Sequence, residues 1–237
     1  MIPAETSWLQ NPSAQKLCAV VMAAGFQVYF VGGCVRNAIL GLTDSDIDMS
    51  TNARPEKVIE IAEAAGLKVI PTGIDHVTVT VVVEGTPFEV TTFRRDVETD
   101  GRRAVVVFSD DIRDDASRRD FTMNALYATP DGQVVDPLGG MEDLLARRIR
   151  FIEDPDARIK EDYLRILRFF RFSAWYGDAT EGFDADALAA IASNTDGLET
   201  LSAERVGQEM VKLLSAVDPS PALAVMRQTG VLAAVHP

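Results

Sequence analysis

The spacing of the apolar residues changes near residue 150, and this change limits the possible folds more than any other feature. Between residues 28 and 151, short β-type runs such as VYFV, VTVTVVV and PFEVTTF alternate with helical stretches such as PEKVIEIAEAAG. After Pro155 the apolar residues recur only at helical spacing. We therefore predict an α+β (α/β-like) fold, in which a mixed β-sheet flanked by helices is followed by an all-helical part. The predicted domains are residues 1–150 and 151–237.

Turn residues and charges refine the prediction for the first part. The β-type runs 77–83 and 87–93 are separated by Glu84-Gly85-Thr86, which predicts a β-hairpin. The charged stretch 94–117 contains Asp100-Gly101, which predicts a mobile loop before a helix that begins near Ser117.

Nothing in the sequence directs the chain to a membrane. It has no apolar run of about eighteen residues, and its N-terminus lacks a basic segment followed by an apolar core. Cys18 and Cys34 lack CxxC spacing, and with only His76 and His236 they make a poor zinc site. We interpret the cysteines as the reduced thiols of a cytoplasmic protein.

The formal net charge of −13 limits how the chain binds nucleic acid. Affinity for nucleic acid usually depends on many Lys and Arg contacts to phosphates. Any contact with RNA must therefore be local or be made partly elsewhere. Charge alone equally allows an acidic protein without a nucleic-acid partner.

The stretch DSDIDMST contains two acids at a spacing that suits a metal ion. Asp46 and Asp48 are separated by one residue, so on a strand both would point to one face, about 6.6 to 7 Å apart along the backbone. Such a pair suits Mg²⁺, which prefers oxygen ligands and keeps substrate phosphates in its shell. Taken alone, the pattern also fits a solvated surface.

Two neighbouring features favour a phosphate site. Gly32 and Gly33 follow the run VYFV and precede a helix with Arg36, a corner that would fit a triphosphate, although an ordinary strand-to-helix turn has the same pattern. Glu89 in PFEVTTF would complete a carboxylate triad if its strand lies beside the Asp strand; otherwise it is a solvent-facing acid. Two metal ions roughly 3.5 to 4 Å apart would then assist an attacking hydroxyl and a departing pyrophosphate.

Six ordered segments resemble the class II family of CCA-adding enzymes (tRNA nucleotidyltransferases) and poly(A) polymerases. They are GGCVRN (32–37), DSDIDMST (44–51), FEVTTFRRD (88–96), RRDFTMNALYA (118–128), DPLGGMEDL (136–144) and EDYLRILRFFRF (161–172). The resemblance implies a catalytic nucleotidyltransferase head followed by a helical neck that recognises the base. It also implies that C and A are added from CTP and ATP to the 3′ end of tRNA or another RNA, with Mg²⁺, as two ions, as the cofactor.

Three other functions are compatible with the same motifs. They are poly(A) addition, addition of only C or only A, and a non-catalytic module that binds nucleotides. The sequence gives no oligomeric state.

The resemblance also assigns roles to individual residues. Asp46 and Asp48 become the metal ligands, and Glu89 becomes the third catalytic carboxylate. The implied nucleotide contacts are Gly32, Gly33, Arg36, Arg119, Asp120, Glu161, Asp162, Arg165, Arg168 and Arg171. In this reading Arg119 and Asp120 begin a helix, and Glu161 holds the Arg165 guanidinium.

Asp162 and Arg165 suggest how a base is chosen. At this spacing an acceptor and a donor would be neighbours on one helical face. Cytosine and adenine each present an amino donor beside a ring-nitrogen acceptor, whereas uracil and guanine present a carbonyl oxygen beside an N–H. The pair complements the first set, and a buried mismatch would cost about 1 to 3 kcal/mol per unsatisfied group. Without the resemblance, the stretch would be interpreted as a helix with ion pairs, Glu161 to Arg165 among them.

Some features differ from the family pattern. Asn37 stands where an Asp is usual, which replaces an ion pair by a hydrogen bond, and Val77 replaces a usual glycine after His76. Full-length relatives continue into a helical body and tail, so we expect head and neck only, with the phosphate-binding surface elsewhere. Segment 94–109, with Arg102 and Arg103, is the candidate loop that switches the pocket between C and A, unless it is a plain surface loop.

Overall fold

The computed structural model describes residues 1–42, 46–70, 78–100, 103–178 and 180–235, and of residues 96–100 and 103–106 only the backbone. The chain forms two compact units that interleave along the sequence. The sheet unit comprises Met1–Arg95, Val106–Arg119 and Asn124–Gly140, and the helical unit comprises Asp96–Val105, Asp120–Met123 and Met141–Pro237. This division does not test the domain boundary predicted near residue 150, which stays a prediction.

A mixed sheet dominates the sheet unit, as predicted. The strands of the described residues are β1 Val28–Val31, β2 Asp48–Thr51, β3 Lys68–Ile70, β4 Thr78–Val83, β5 Thr86–Thr92, β6 Arg94–Asp100, β7 Arg103–Phe108, β8 Tyr127–Ala128 and β9 Val134–Val135. Parts of β6 and β7 belong to the segment Asp96–Val105 of the helical unit. Among the described residues, seven of these form one sheet in the order β3-β4-β5-β2-β1-β8-β9, and β6 and β7 form a second. Strands β2 and β5 run parallel, whereas the other neighbours in the larger sheet run antiparallel.

Helices flank this sheet, as the sequence predicted. They are α1 Pro12–Ala23, α2 Gly33–Ile39, α3 Pro55–Ala64 and α4 Ile112–Ser117. Helix α5, Gly140–Leu145, begins at the last residue of the sheet unit and otherwise belongs to the helical unit. Helix α1 contacts β1, β4 and α3, and α3 contacts β3, β4 and β5. In α3, the apolar residues Val58, Ile61 and Ala62 recur at helical spacing and are buried. Asn11 caps α1 by accepting the N–H groups of Ser13 and Ala14.

The hairpin predicted at residues 84–86 is present with a tighter turn than expected. Val83 pairs with Thr86, so the turn consists of Glu84 and Gly85 alone. Their φ angles are +53° and +86°. Positive φ at both central residues is typical of the mirror-image turn that matches the twist of paired strands.

The prediction for residues 94–117 was wrong. The structure has β6, β7 and α4 where the charges indicated a loop, and α4 ends at Ser117 instead of beginning there. Arg119 and Asp120 consequently do not begin a helix. The run RAVVVF is rich in β-branched residues, which favour a strand, and Asp111 caps α4 by accepting the Arg113 N–H. Arg102 lies outside the described residues, as do His76, Val77 and His236.

The helical unit has the all-helical pattern predicted after residue 155. Its helices are α6 Pro155–Glu161, α7 Leu164–Tyr176, α8 Ala185–Ser193, α9 Ala203–Leu214, α10 Ser220–Gln228 and α11 Val231–Val235, and Thr195–Thr200 is a 3₁₀ helix. Phe121 packs against Phe151 and Phe172, with ring centroids 5.0 and 5.1 Å apart. These rings join segment 120–123 to α7. None of the helices in the described ranges is long and apolar enough to cross a membrane.

Both cysteines are free and buried. Burial raises the pKa of the Cys18 thiol to about 12 and that of Cys34 to about 11. Both side chains are therefore protonated at neutral pH and act as small apolar groups in the core.

A substitution at Gly197 tests how closely its backbone packs against the Tyr163 ring, directly before α7. A Cβ at this position would lie 2.1 Å from Cδ1 and Cε1 of the Tyr163 ring. We expect Gly197→Ala to destabilise the protein by about 1–3 kcal/mol, because the ring must move to accept the methyl group. The measurement is the free energy of unfolding in urea.

The matched control is Gly207→Ala in α9. Nothing lies within 4 Å of the added methyl group there. Alanine in a helix interior should stabilise the protein by roughly 0.5–1 kcal/mol. Equal effects of the two substitutions would contradict the close contact at Tyr163.

Candidate active site

Asp48 and Glu89 lie side by side on neighbouring parallel strands. Asp48 is the first residue of β2 and the register partner of Glu89 on β5, and Thr80 on β4 is the other partner of Glu89. Directly paired residues of a sheet project to the same face. Along β5 the buried Phe88 and Val90 alternate with the exposed Glu89, so the two acids lie on an exposed face. The strand pairing that the sequence analysis required for Glu89 is present, and the catalytic role stays a prediction.

Asp46 differs from its sequence-based placement. Strand β2 begins at Asp48, so Asp46 lies in the segment before the strand and does not share a strand face with Asp48. The reason is that the pairing of β2 with β5 begins at Asp48. Asp46 is exposed, and its charge still acts on Asp48.

The electrostatic surroundings of Asp48 are mainly negative. Partial burial of the carboxylate raises the pKa of Asp48, and the charge of Glu89 raises it further. Arg119 lowers this pKa, and Asp46 adds a smaller increase. A cation placed among these acids would relieve the repulsion.

The described residues alone do not form a complete metal site. No group of three or more His, Cys, Asp or Glu side chains in the described part of the chain has an arrangement that could hold an ion by itself. Among the described residues, Asp46, Asp48 and Glu89 are candidate oxygen ligands near the start of β2. Such an incomplete set suits Mg²⁺, which usually takes its other ligands from water and substrate phosphates.

Arg119 is held by a buried acid that the sequence analysis did not identify. Asp115 on α4 is fully buried, and its Oδ2 accepts from Arg119 Nη2 at 3.2 Å and from the Tyr127 hydroxyl at 2.7 Å. Its Oδ1 accepts from Arg118 at 2.6 and 2.8 Å. Burial alone would raise the pKa of Asp115, but Arg119, Arg118 and the Tyr127 hydroxyl together hold it below its ordinary value. Asp115 thus fixes the cation that acts on Asp48.

The glycine turn occurs where the sequence predicted it. Gly32 has a φ of +72°, a region that favours glycine, and a Cβ there would lie 3.4 Å from Arg119 Nη1. Gly33 begins α2 directly after it. Arg36, predicted to contact the triphosphate, is buried and donates to the Oδ1 atoms of Asn37 and Asn124. Asn37 keeps the hydrogen-bonding role predicted for it, and the phosphate contact of Arg36 stays a prediction.

The other predicted nucleotide contacts belong to the helical unit. Asp120 accepts from Arg168 Nε at 2.7 Å, and Arg171 Nε donates to Glu209 at 2.6 Å. Burial opposes the charge of Arg168, but Asp120 and the nearby Glu209 raise the pKa of Arg168 above its ordinary value. Arg168 is therefore charged, and both arginines are oriented by acids.

The sequence predicted that Asp162 and Arg165 share a helical face, and this prediction was wrong. Helix α6 ends at Glu161 and α7 begins at Leu164, and Asp162 between them is extended, with φ −157° and ψ 106°. The Asp162 side chain accepts the Leu164 N–H at 3.1 Å, which starts α7 and explains the break. The predicted contact of Glu161 with Arg165 is present, and Glu161 also accepts from Arg158 at 2.6 Å.

Sequence reasoning missed Asp115, Arg205 and Glu209. Arg205 donates to Asp162 at 2.6 Å, and Glu209 pairs with Arg171. Their spacing of four residues in α9 places them on one helical face, and this was the signal available in the sequence. Their partners are about forty residues away in the chain, so only the fold identifies them.

Replacing Asp115 tests the support of Arg119. Asp115→Asn leaves two guanidinium groups without their buried counter-charge, so we expect a loss of about 3–5 kcal/mol in the free energy of unfolding at pH 7. Because the folded-state pKa of Asp115 is lowered, the stabilisation is complete above its unfolded value of about 4 and is lost as the pH falls further. Urea unfolding at pH 7 and pH 3 measures both effects.

The comparison variant is Tyr127→Phe, which removes one donor to Asp115 and keeps the charge. Its expected cost is smaller, about 1–3 kcal/mol. A difference between wild type and Asp115→Asn that stayed constant down to pH 3 would contradict the charge-based account.

The chain is similar to characterised proteins in sequence. It is 38% identical over 218 residues to the human mitochondrial CCA tRNA nucleotidyltransferase 1, covering 88% of this chain and 50% of that protein. It is 40% identical over 208 residues to the CCA-adding enzyme of Geobacillus thermodenitrificans, covering 87% of this chain and 50% of that enzyme. The chain therefore spans about half the length of the curated relatives it matches.

Solved structures have the same fold. The CCA-adding enzyme of Bacillus stearothermophilus in complex with CTP superposes with a TM-score of 0.82 at 36% identity, covering 92% of this chain and 52% of that one. The Thermotoga maritima CCA-adding enzyme complexed with tRNA gives a TM-score of 0.72 at 26% identity, covering 93% and 50%.

Two family descriptions match separate parts of the sequence. Residues 182–237 match the probable RNA and SrmB-binding site of polymerase A. Residues 28–150 match the poly A polymerase head domain, and this range includes β2, β5 and Arg119. Because the second match covers more than half of the residues, the chain belongs to the poly A polymerase head-domain family.

Proposed function

We propose that this chain belongs to a template-independent RNA nucleotidyltransferase that adds C and A to the 3′ ends of tRNA from CTP and ATP. The RNA 3′ hydroxyl attacks the α-phosphate of the nucleotide in line. A new phosphodiester bond forms, the bond between the α- and β-phosphates breaks, and pyrophosphate leaves. The names of the relatives support the CCA product, and the residues support the chemistry.

The observation that carries the proposal is the pairing of Asp48 with Glu89. Two carboxylates in register on adjacent strands, with Asp46 close enough to act on Asp48, concentrate negative charge on an exposed face. Such an arrangement is unfavourable unless a cation compensates it. Binding of a metal ion together with a triphosphate would provide this compensation.

Mg²⁺, as two ions, is the proposed cofactor, with Asp46 and Asp48 as ligands and Glu89 as the third carboxylate. Nucleotidyltransferases of this family generally depend on a metal. Bound there, the metal would supply charge stabilisation for the attacking oxygen and the pyrophosphate. The protein's contribution is to hold the three acids and to place Arg119, fixed by Asp115, where it balances part of their charge.

The residues of the helical unit are proposed to select the base. Asp162 is an acceptor for the amino group of cytosine or adenine, and Arg165 is a donor for the adjacent ring nitrogen. Uracil and guanine present the opposite pattern. Asp120, Glu161, Arg168 and Arg171 are proposed as further nucleotide contacts. Glu161 also holds Arg165, whereas Asp120 pairs with Arg168, and Arg171 pairs with Glu209.

Gly32, Gly33 and Arg36 are proposed to contact the triphosphate or ribose. The positive φ of Gly32 lets the backbone turn without a side chain beside Arg119. For the whole protein we propose a cytoplasmic location, supported by the two free thiols, although the human and mouse relatives are named as mitochondrial.

The activity test is incorporation of single nucleotides by the full-length protein into tRNA that lacks its CCA end. We expect CTP to be used first, ATP to be used after two C residues, and UTP and GTP to be rejected. Asp48→Asn should lower the rate about 10²- to 10⁴-fold, because several kcal/mol of charge stabilisation are lost. The measurement is extension of labelled tRNA on a sequencing gel.

Glu63→Gln is the matched control, because it removes an exposed carboxylate from α3 in the same unit. Its rate should equal that of the wild type. Addition of A alone to an arbitrary RNA would favour poly(A) addition, and C alone or A alone would favour a partial enzyme. Absence of any incorporation by the full-length wild type would favour a non-catalytic nucleotide-binding module.

Thermal melting tests the metal site without measuring activity. Because the folded-state pKa of Asp48 is raised, its charge destabilises the fold as the pH rises through that pKa. Without Mg²⁺ at pH 7, Asp48→Asn should melt on the order of 1–2 °C above the wild type, since repulsion between exposed charges is small. Mg²⁺ should raise the Tm of the wild type and not that of Asp48→Asn.

Glu63→Gln should respond to Mg²⁺ as the wild type does. The Tm gap between Asp48→Asn and the wild type should close below about pH 4, where the unfolded carboxylate is also protonated. An equal Mg²⁺ shift in the wild type and Asp48→Asn would rule out Asp48 as a ligand.

A further inference from the structure

Helix α9 contacts α7 and supplies two charged side chains to the segment 161–171. Arg205 Nη2 lies 2.6 Å from Asp162 Oδ2, and Glu209 Oε2 lies 2.6 Å from Arg171 Nε. Arg205 and Glu209 are four residues apart, so they lie on one helical face. The side chains of Arg205 and Asp162 are 14% and 21% exposed, so their ion pair is partly shielded from solvent.

Both oxygens of the Asp162 carboxylate have a donor. Oδ1 accepts the backbone N–H of Leu164 at 3.1 Å, and Oδ2 accepts from Arg205. The first contact is made within the turn between α6 and α7, and the second comes from a separate helix. Together they fix the rotation of the carboxylate about its Cβ–Cγ bond, because hydrogen bonds are directional. Each oxygen retains one lone pair for a further donor.

The Arg165 guanidinium is oriented in a comparable way. Its Nη1 donates to Glu161 Oε2 and to the Arg158 carbonyl oxygen. Within the described residues, its Nε and Nη2 atoms have no protein acceptor, so three N–H groups are available to a ligand. The acceptor and the donor assigned to base recognition thus each have a partner that sets their direction.

We propose that Arg205 is a positioning residue for base selection and acts through Asp162. The inference rests on the proposed function, which assigns the base to Asp162 and Arg165. A carboxylate held by Arg205 cannot turn away from the carbonyl oxygen that uracil or guanine would place against it. Fixing the carboxylate therefore penalises the wrong base more than it favours the right one.

The test compares the affinities of the protein for CTP and UTP by isothermal titration calorimetry in the presence of Mg²⁺. The wild type should prefer CTP. Arg205→Gln removes the positive charge and the planar guanidinium group. The preference for CTP over UTP should then fall about tenfold, mainly because UTP binds more tightly. Lys212→Gln is the matched control, since it removes an exposed positive charge from the same helix, and its preference should not change.

A double-mutant cycle separates this role from a general effect on folding. In an Asp162→Asn background, Arg205→Gln should change the preference no further, because the group it positions is already altered. An equal loss in both backgrounds would overturn the proposal, as would an unchanged preference in Arg205→Gln. A wild type that binds CTP and UTP equally would instead refute base recognition in the proposed function.

Circular dichroism melts establish that each variant is folded at the temperature of titration. If Arg205→Gln does not fold, Arg205→Lys takes its place, because it keeps the charge and loses the planar fork. Its preference for CTP should fall about threefold. An unchanged preference in Arg205→Lys would then overturn the proposal.

Discussion

The parallel pairing of β2 with β5 is the constraint on which the rest of the site depends. Parallel strands need a long connection, which here contains α3, β3 and β4. This connection brings Asp48 beside Glu89, although they are about forty residues apart in the chain. The repulsion between the two acids is relieved partly by Arg119, and Arg119 in turn depends on the buried Asp115. The proposed catalytic acids thus depend on a buried charge cluster formed by Asp115 and Arg119.

Local patterns predicted the elements of the fold well. The strand-to-helix turn at Gly32, the helix from Pro55 and the Glu84-Gly85 hairpin all follow from residues close in sequence. The loop prediction for segment 94–117 failed because it gave more weight to the charges than to the β-branched run that forms β7. The prediction that Asp162 and Arg165 share one helix failed for a similar reason. Helical periodicity continues across it, whereas one side-chain hydrogen bond to the Leu164 N–H ends one helix and starts the next.

The candidate site was predictable only where acids were near one another in sequence or where the family resemblance applied. Asp115, Arg205 and Glu209 are of residue types that usually lie on the surface. The periodicity of apolar residues in the sequence cannot reveal that their partners lie on other elements. Their importance arises from burial, which makes an unpaired charge costly and a paired charge directional. The same limit applies to the hydrogen bond from Arg36 to Asn124, which is 88 residues away in the chain, while the predicted phosphate contact of Arg36 stays a prediction.

The charge balance of the helical unit bears on what it recognises. Five guanidinium groups, those of Arg158, Arg165, Arg168, Arg171 and Arg205, are paired with four carboxylates, those of Asp120, Glu161, Asp162 and Glu209. Such a nearly balanced cluster attracts a polyanion weakly, in keeping with the net charge of −13. Its polar groups are, however, fixed in direction, which is what discrimination between the edges of neutral bases requires. The arginines of α7 therefore suit recognition of a base better than general attraction to an RNA backbone.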